Sequence, residues 1–264
     1  MPTTANAPLH LEMDGIVKTL RGAPVLQGAS LHVRRGTTAV VLGPSGAGKS
    51  VLLRHAVGLL RPDGGTVRIG GHRVDDLPER ELDVVRRRIG VVFQGAALFD
   101  SMDVAANVAF PLEAIGVGPG SERDDRVHRA LRTVGLADRG VAMPAELSGG
   151  QRKRVAIARA IVLEPELVFY DEPTTGLDPP RADLVNRLIV RLRDEMGVTG
   201  IVVTHDLASA FAVADRMTML MDGRTIFAGT PDELRHAPDP RVQGFLHAQA
   251  TPEELAAIRG GRTP

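Results

Sequence analysis

The sequence contains no cysteine and no tryptophan, and its aromatic side chains are 7 Phe and 1 Tyr. Without cysteine there is no disulfide framework, no thiolate nucleophile and no thiolate metal ligand, which fits a reducing compartment. An excess of one charge is also missing. The 32 basic side chains balance 32 acidic ones, so the basic footprint of a general nucleic-acid binder is absent and no nucleic-acid partner is expected. No apolar run reaches the ~18–20 residues that a membrane-spanning helix needs, and Met1 to Pro8 is polar, unlike a secretory leader. The expectation is a cytoplasmic chain that acts at a membrane only if another chain brings it there. Lysine is scarce: Lys18, Lys49 and Lys153 are the three lysines among 32 basic residues. A lysine inside a motif therefore stands out against an arginine background.

With 264 residues, 43% of them hydrophobic, the chain is too apolar to be disordered. It is long enough for one large domain, or one domain with an insertion. From Leu9 to Val33 short apolar stretches alternate with turn residues, as in an antiparallel β region. Thr38–Leu42 is a continuous apolar run between glycines and predicts a buried parallel strand. A Gly-rich turn follows, then helical spacing from Ser50 to Leu60, a turn over Arg61–Gly65, and strands at Thr66–Ile69 and Ile89–Phe93. Gly95–Leu163 has helical spacing, broken at Gly116–Ser121, and no strand pattern. Strands return at Leu167–Tyr170 and Gly200–Val203, separated by a helix over Pro180–Met196. Met217–Met221 and Arg224–Phe227 read as a hairpin about Asp222-Gly223. Thr230-Pro231-Asp232-Glu233 and Thr251-Pro252-Glu253-Glu254 each carry the start signal of a capped helix. The whole predicts an α/β domain with a helical insertion.

Gly43-Pro44-Ser45-Gly46-Ala47-Gly48-Lys49-Ser50 has the spacing G-x-x-x-x-G-K-[ST] between an apolar strand and a helix. Glycines let successive N–H groups and the helix N-terminus wrap a phosphate. Lys49 brings a charge to the β- and γ-phosphates, and the Ser50 hydroxyl suits Mg²⁺. The competing reading, a turn that merely opens a helix, does not account for this context. Leu167–Tyr170 ends in Asp171-Glu172, and carboxyl ends of parallel strands face the ligand crevice. Asp171 is placed to hold Mg²⁺ through water and Glu172 to polarise an attacking water as general base. A solvated acidic turn before Pro173 is the bland alternative. Thr204-His205-Asp206 repeats the strand-end placement after Gly200–Val203. His205 suits a γ-phosphate and the attacking water there, although a helix start with Asp206 as its cap fits equally.

Leu147-Ser148-Gly149-Gly150-Gln151 completes a set. With it the sequence resembles the ATP-binding subunit of ABC transporters. Gly43–Ser50 is similar to the Walker A motif, Leu147–Gln151 to the signature and Val168–Glu172 to the Walker B motif. Gln94 resembles the Q-loop glutamine, Gly176-Leu177-Asp178 the D-loop and His205 the switch histidine. The motifs run in family order over about Leu9–Leu234. The resemblance implies a RecA-like P-loop core with an antiparallel β subdomain (9–94 and 164–238), an inserted helical subdomain (95–163) and a C-terminal tail (239–264). It implies ATP and Mg²⁺ as cofactors and ATP hydrolysis coupled to transport. Catalytic roles fall to Glu172, His205, Gln94 and Lys49, and Mg²⁺ ligation to Ser50, Gln94 and Asp171. Nucleotide contacts fall to Gly43, Pro44, Ser45, Gly46, Ala47, Gly48, Lys49, Ser50, Val51, Gln94, Asp178 and His205. Ser148, Gly149, Gly150 and Gln151 would close over the nucleotide of a second copy in a head-to-tail dimer, with a separate integral-membrane permease as the other partner. Ser148-x-x-Gln151 is also a capping box for a helix over Arg152–Leu163. The two readings are compatible, because a capped helix N-terminus with free glycine amides is an anion site.

Family members usually place an aromatic residue near Val17–Arg21 to stack on adenine. Leu20 holds that place here, and the first aromatic residue is Phe93. Phe93–Met102 with Asn107–Leu112, and Pro238–Leu246, look similar to the ATPase subunit of Mla-type phospholipid transporters, which work with MCE-domain proteins. That implies phospholipid transport between the inner membrane and the cell envelope, with the chain on the cytoplasmic face of the inner membrane. Transport of another solute, such as an amino acid or lipoprotein, is the alternative. A non-transport ATPase is less expected, since each motif occurs once and no heptads are sustained. Leu98, Phe99 and Met102 are expected to offer a permease helix an apolar surface beside Gln94, with packing inside the helical block as the competing reading. Thr251–Arg259 has the pattern of a short helix, ended by Gly260-Gly261, with a frayed terminus as the default reading.

Overall fold

A computed structural model describes residues 7–247 of the protein. The chain opens with β1 (Leu9–Leu20) and β2 (Ala23–Arg34). The turn between them, Arg21-Gly22, has φ of 50° and 80°, as a two-residue hairpin loop requires. Then follow β3 (Thr38–Leu42), α1 (Lys49–Ala56), β4 (Gly64–Ile69), β5 (His72–Arg73), α2 (Glu79–Arg86) and β6 (Ile89–Val92). Next come α3 (Val104–Ala114), α4 (Ser121–Thr133) and α5 (Gly149–Ile161), with no strand among them. β7 (Leu167–Asp171), α6 (Pro179–Met196), β8 (Thr199–Val203), α7 (Leu207–Val213), β9 (Arg216–Met221), β10 (Arg224–Gly229), α8 (Pro231–Arg235) and α9 (Pro240–Leu246) complete the described chain.

The strands form an antiparallel sheet in the order β2-β1-β4-β5 and a larger one in the order β10-β9-β3-β8-β7-β6. The larger sheet is parallel except for the β9–β10 edge. Strand β3 lies inside it and is buried along its whole length. Its alternate residues serve two cores. Val40 and Leu42 pack with Val168, Tyr170, Val202 and the helices of the middle of the chain. Ala39 and Val41 pack with Phe169, Ile201, Val203 and the small sheet's Leu11, Met13 and Leu31. A strand covered on both faces loses the polar half of its alternation, which is why Thr38–Leu42 reads as an unbroken apolar run.

The capping signals act as expected. Ser148 Oγ accepts from the Gln151 amide (3.3 Å) while Gln151 Oε1 accepts from the Ser148 amide (2.9 Å), and Thr230 and Glu233 pair in the same reciprocal way. Asp178 caps α6, which ends at Gly197 with φ of 66°. Helix α1 is shorter than its sequence pattern. It stops at Ala56 because Gly58 turns left-handed (φ 68°) and the amides of Leu59 and Leu60 fold back onto the Arg54 carbonyl (2.8 and 3.2 Å). Strand β5 and helices α2 and α9 have no counterpart in the sequence pattern, and α7 is foreshadowed only by Asp206 as a possible cap. Helix α2 buries only Leu82, so it has no apolar stripe to read. The helix expected over Thr251–Arg259 lies outside the described residues. Among those residues no helix is long and apolar enough to cross a membrane.

Candidate active site

The carboxyl ends of β3, β8, β7 and β6 lie side by side. Each is followed by one of the motif segments: Gly43–Ser50 after β3, His205 after β8, Asp171-Glu172 at the end of β7 and Gln94 after β6. Val25, Ser45, Gly46, Gly48, Lys49, Ser50, Val51, Gln94, Glu172 and His205 line one cleft of about 310 Å³.

The phosphate loop needs its glycines for close approach. A Cβ on Gly43 would lie 2.0 Å from the Leu220 carbonyl oxygen, and one on Gly48 (φ 97°) 2.8 Å from Leu26 Cδ2. Gly43 and Ala47 are buried beneath the loop, Pro44 is half-buried, and Ser45 and Gly46 are exposed at its crest. Lys49 is buried, and its Nζ donates to the carbonyls of Gly43 (2.7 Å) and Pro44 (2.9 Å). Burial lowers its pKa, while the carboxylates of Glu172 and Asp171 pull the other way.

Ser50 Oγ donates to Asp171 Oδ1 at 3.2 Å. Burial pushes the Asp171 carboxyl above its usual range; the Ser50 bond opposes this and the Glu172 charge adds to it. A hydroxyl beside a desolvated carboxylate is a hard-oxygen pair that suits Mg²⁺. Among the described residues no group of three or more His, Cys, Asp or Glu could hold a metal ion; Mg²⁺ on phosphates usually keeps several water and substrate oxygens among its ligands.

Glu172 is buried and has a φ of 49°, a conformation that strains a residue with a side chain. Its surroundings hold it there. The amide donates to the Val203 carbonyl at 2.9 Å. The His205 Nδ1–H donates to Oε1 at 2.8 Å, and Oε2 accepts from Thr175 Oγ1 (2.8 Å) and Thr204 Oγ1 (3.3 Å). Thr175 and Thr204 have no sequence signal beyond their place in the chain. At the last strand end Asp206 caps α7 (3.1 Å to the Ala208 amide), while His205 points to Glu172.

The other motif residues do not reach this cleft. Ser148, Gly150 and Gln151 line a separate pocket with Arg154, Arg181 and Leu184, and Gly149 is the first residue of α5. Asp178 accepts from the Arg181 amide at 3.0 Å. Leu20 is half-buried at the end of β1, and the apolar wall of the cleft comes from Val25 and Val51. The expected apolar surface beside Gln94 has a different composition. Leu98 packs against the core and Met102 is half-buried outside the groove. Phe93, Phe99 and Phe110 are the exposed aromatics (39–45% exposed) and line a groove with Ala97, Pro111 and Leu163. The Phe99 and Phe110 rings lie 4.7 Å apart, and the Arg159 guanidinium sits 5.9 Å over Phe99. Asn107 explains the conformation: buried, it accepts from the Phe99 amide (2.8 Å) and donates to the carbonyls of Phe99, Met102 and Asp103 (3.0–3.1 Å).

Fold and site together define a P-loop nucleoside triphosphatase. Residues 26–175 match the family model described as ABC transporter, and the chain belongs to that family, as an ATP-binding, ATP-hydrolysing subunit. It is 39% identical over 236 residues to the intermembrane phospholipid transport system ATP-binding protein MlaF of Escherichia coli K12, a match covering 89% of this chain and 88% of that one. It is 42% identical over 255 residues to the Fe(3+) ions import ATP-binding protein FbpC of Rhizobium etli, covering 96% and 70%. The dimeric ATP-binding cassette MJ0796, in a post-hydrolysis state with ADP and Pi, superposes with a TM-score of 0.76 at 33% identity, covering 83% of this chain and 98% of that one.

Proposed function

We propose that this chain powers phospholipid transport between the inner membrane and the cell envelope, working from the cytoplasmic face through a separate integral-membrane permease and an MCE-domain lipid-binding protein. The observation that carries the reading is the match to MlaF, which spans nearly the full length of both chains, 89% and 88%. FbpC is somewhat more identical, at 42%, but 30% of its length lies outside the match. That identity keeps a cassette for another solute as the second reading.

In this reading Glu172 polarises the attacking water, and its contacts with His205, Thr175 and Thr204 aim it. Lys49 offsets charge on the β- and γ-phosphates. Ser50, Asp171 and the Gln94 side chain hold Mg²⁺, which when bound neutralises charge that develops on the phosphate oxygens. Residues 9–94 and 164–238 act as the ATPase core and 95–163 as the inserted helical subdomain. Two copies pair head to tail, so that Ser148–Gln151 and Asp178 meet the nucleotide in the other copy's cleft; the separation of the two pockets within one chain supports this. The Phe93–Phe99–Phe110 groove next to Gln94 receives the permease.

Affinity purification of the tagged chain from its own membranes in mild detergent, with mass spectrometry of proteins and lipids, tests the proposal. A multi-span permease with an MCE-domain protein and bound phospholipid is the expected result. A permease accompanied by a solute-binding protein would favour the second reading. Absence of any membrane protein would overturn both.

A further inference from the structure

The four basic residues of helix α5, Arg152, Lys153, Arg154 and Arg159, form no ion pairs among the described residues and donate to main-chain carbonyls instead; two of them, Lys153 and Arg159, grip the segment that follows β6. Lys153 is buried just beyond the Ser148–Gln151 cap. Its Nζ donates to the Gln94 carbonyl and, at 3.1 Å, to the Glu172 carbonyl. Arg159, further along the same helix, donates to the carbonyls of Ala96 (2.9 Å) and Ala97 (2.7 Å), both residues at positive φ, 63° and 48°. Segment 94–97 is thus held to α5 at both ends.

A buried ammonium bonded only to neutral carbonyls is an expensive way to fill space. The charge has been taken out of water, and an apolar side chain of the same length would avoid that cost. Burial lowers the Lys153 pKa, and Glu172 and Asp171 offset part of the effect. What the ammonium adds is a bond at a place that needs one. The Glu172 peptide is strained at φ 49°, and its amide is already tied to Val203. Lys153 ties the other end.

We propose that Lys153 is a positioning residue for ATP hydrolysis: by bonding the carbonyls of Gln94 and Glu172 it sets both in one frame with the helix that begins at Ser148. The inference rests on the reading of Glu172 as general base. It makes α5 a mechanical link between two strand ends that are neighbours in the sheet. It also means that a shift of the Ser148 end reaches the Glu172 backbone through one side chain.

The test is steady-state ATP hydrolysis and equilibrium ATP binding by the full chain and its Lys153→Met and Lys153→Gln variants, each below its own melting temperature. Methionine and glutamine both end one bond short of the lysine Nζ; methionine has no N–H, whereas glutamine keeps N–H donors. Loss of alignment of a reacting group lowers kcat by about 10- to 100-fold, so Lys153→Met is expected in that range with KM and Kd for ATP nearly unchanged. Lys153→Gln is expected to recover much of the loss. An unchanged kcat in Lys153→Met, a rise in KM parallel to the fall in kcat, or a glutamine variant no better than methionine would overturn the proposal. Glu172→Gln in the same assay separates the two readings. If it hydrolyses ATP normally the base assignment fails; if it is inactive while Lys153→Met is normal, only Lys153 is removed.

Discussion

Replacing Glu172 by Gln separates the chemistry of the cleft from its architecture. The carboxylate has three side-chain partners, His205 on Oε1 and the hydroxyls of Thr175 and Thr204 on Oε2. A glutamine can satisfy all of them. Its carbonyl accepts from the two hydroxyls, and its amide donates to His205 Nδ1 once the ring carries its proton on Nε2. The folding cost is therefore no more than that of one weakened hydrogen bond, about 1 kcal/mol. Removing the negative charge also relieves the repulsion that helps to raise the Asp171 pKa, so the Ser50–Asp171 pair keeps its charge at least as readily. In the proposed reading the lost function is proton acceptance from water. General-base catalysis is worth about 10²- to 10⁴-fold, or ~3–5 kcal/mol in the barrier. Expected, then, are a fall in kcat of that size, an ATP Kd within about threefold of wild type at this ~0.6 kcal/mol level, and an ATP-dependent dimer visible by size-exclusion chromatography. Turnover near the wild-type rate would refute the base role. Loss of ATP binding together with hydrolysis would show that the glutamine had disturbed the loop, and the argument from matched hydrogen bonds would fail.

Two further predictions concern the frame around the site. Asn107→Ala removes four side-chain bonds, to the part-buried Phe99 amide and to the carbonyls of Phe99, Met102 and Asp103, of which Phe99 and Asp103 keep a backbone donor, a loss of about 2–4 kcal/mol. That corresponds to a melting temperature about 5–10 °C lower, and a fall under about 2 °C in differential scanning calorimetry would count against it. His10 is buried, bonded to Thr199 Oγ1 at 2.7 Å, and its pKa is pushed down to about 4 by burial and by Arg35, with Arg88 adding and Glu166 opposing. Its neutral form is favoured in the folded state, so its contribution to stability is complete above the ordinary histidine pKa of 6.5 and is lost as pH falls toward 4. At most about 3 kcal/mol is involved. Urea melts at pH 7, 5.5 and 4.5 should show a wild-type stability that declines faster than that of His10→Gln; parallel declines would refute the assignment.

How much of this was legible depended on whether a residue's role is local. Thr38–Leu42 declares itself because both faces of β3 are covered. The caps at Ser148 and Thr230 are readable because donor and acceptor lie within three residues of each other. Roles that depend on distant chain were not readable. The Lys153 contacts join positions 59 and 19 residues apart, and the only hint was a lysine in a chain rich in arginine. The groove was misread in part because Leu98, Phe99 and Met102 are alike as a sequence, whereas Asn107 holds the turn so that Phe99 faces out and Leu98 faces in.

The arrangement of the motifs follows from the crossovers rather than from their order in the chain. Gly43–Ser50 comes first along the sequence and His205 last, yet β3 and β8 are direct neighbours, and β7 and then β6 extend outward from them. Parallel strands require long connections, and those connections bring segments that are far apart in sequence to one edge, where strand ends face the ligand. Ser148–Gln151 is the exception that completes the argument. It opens a helix of the inserted block instead of following a strand of the sheet, so no crossover delivers it to that edge, and it lines a pocket of its own. A single copy therefore presents two separate pockets, which the proposed head-to-tail pairing of two copies would unite.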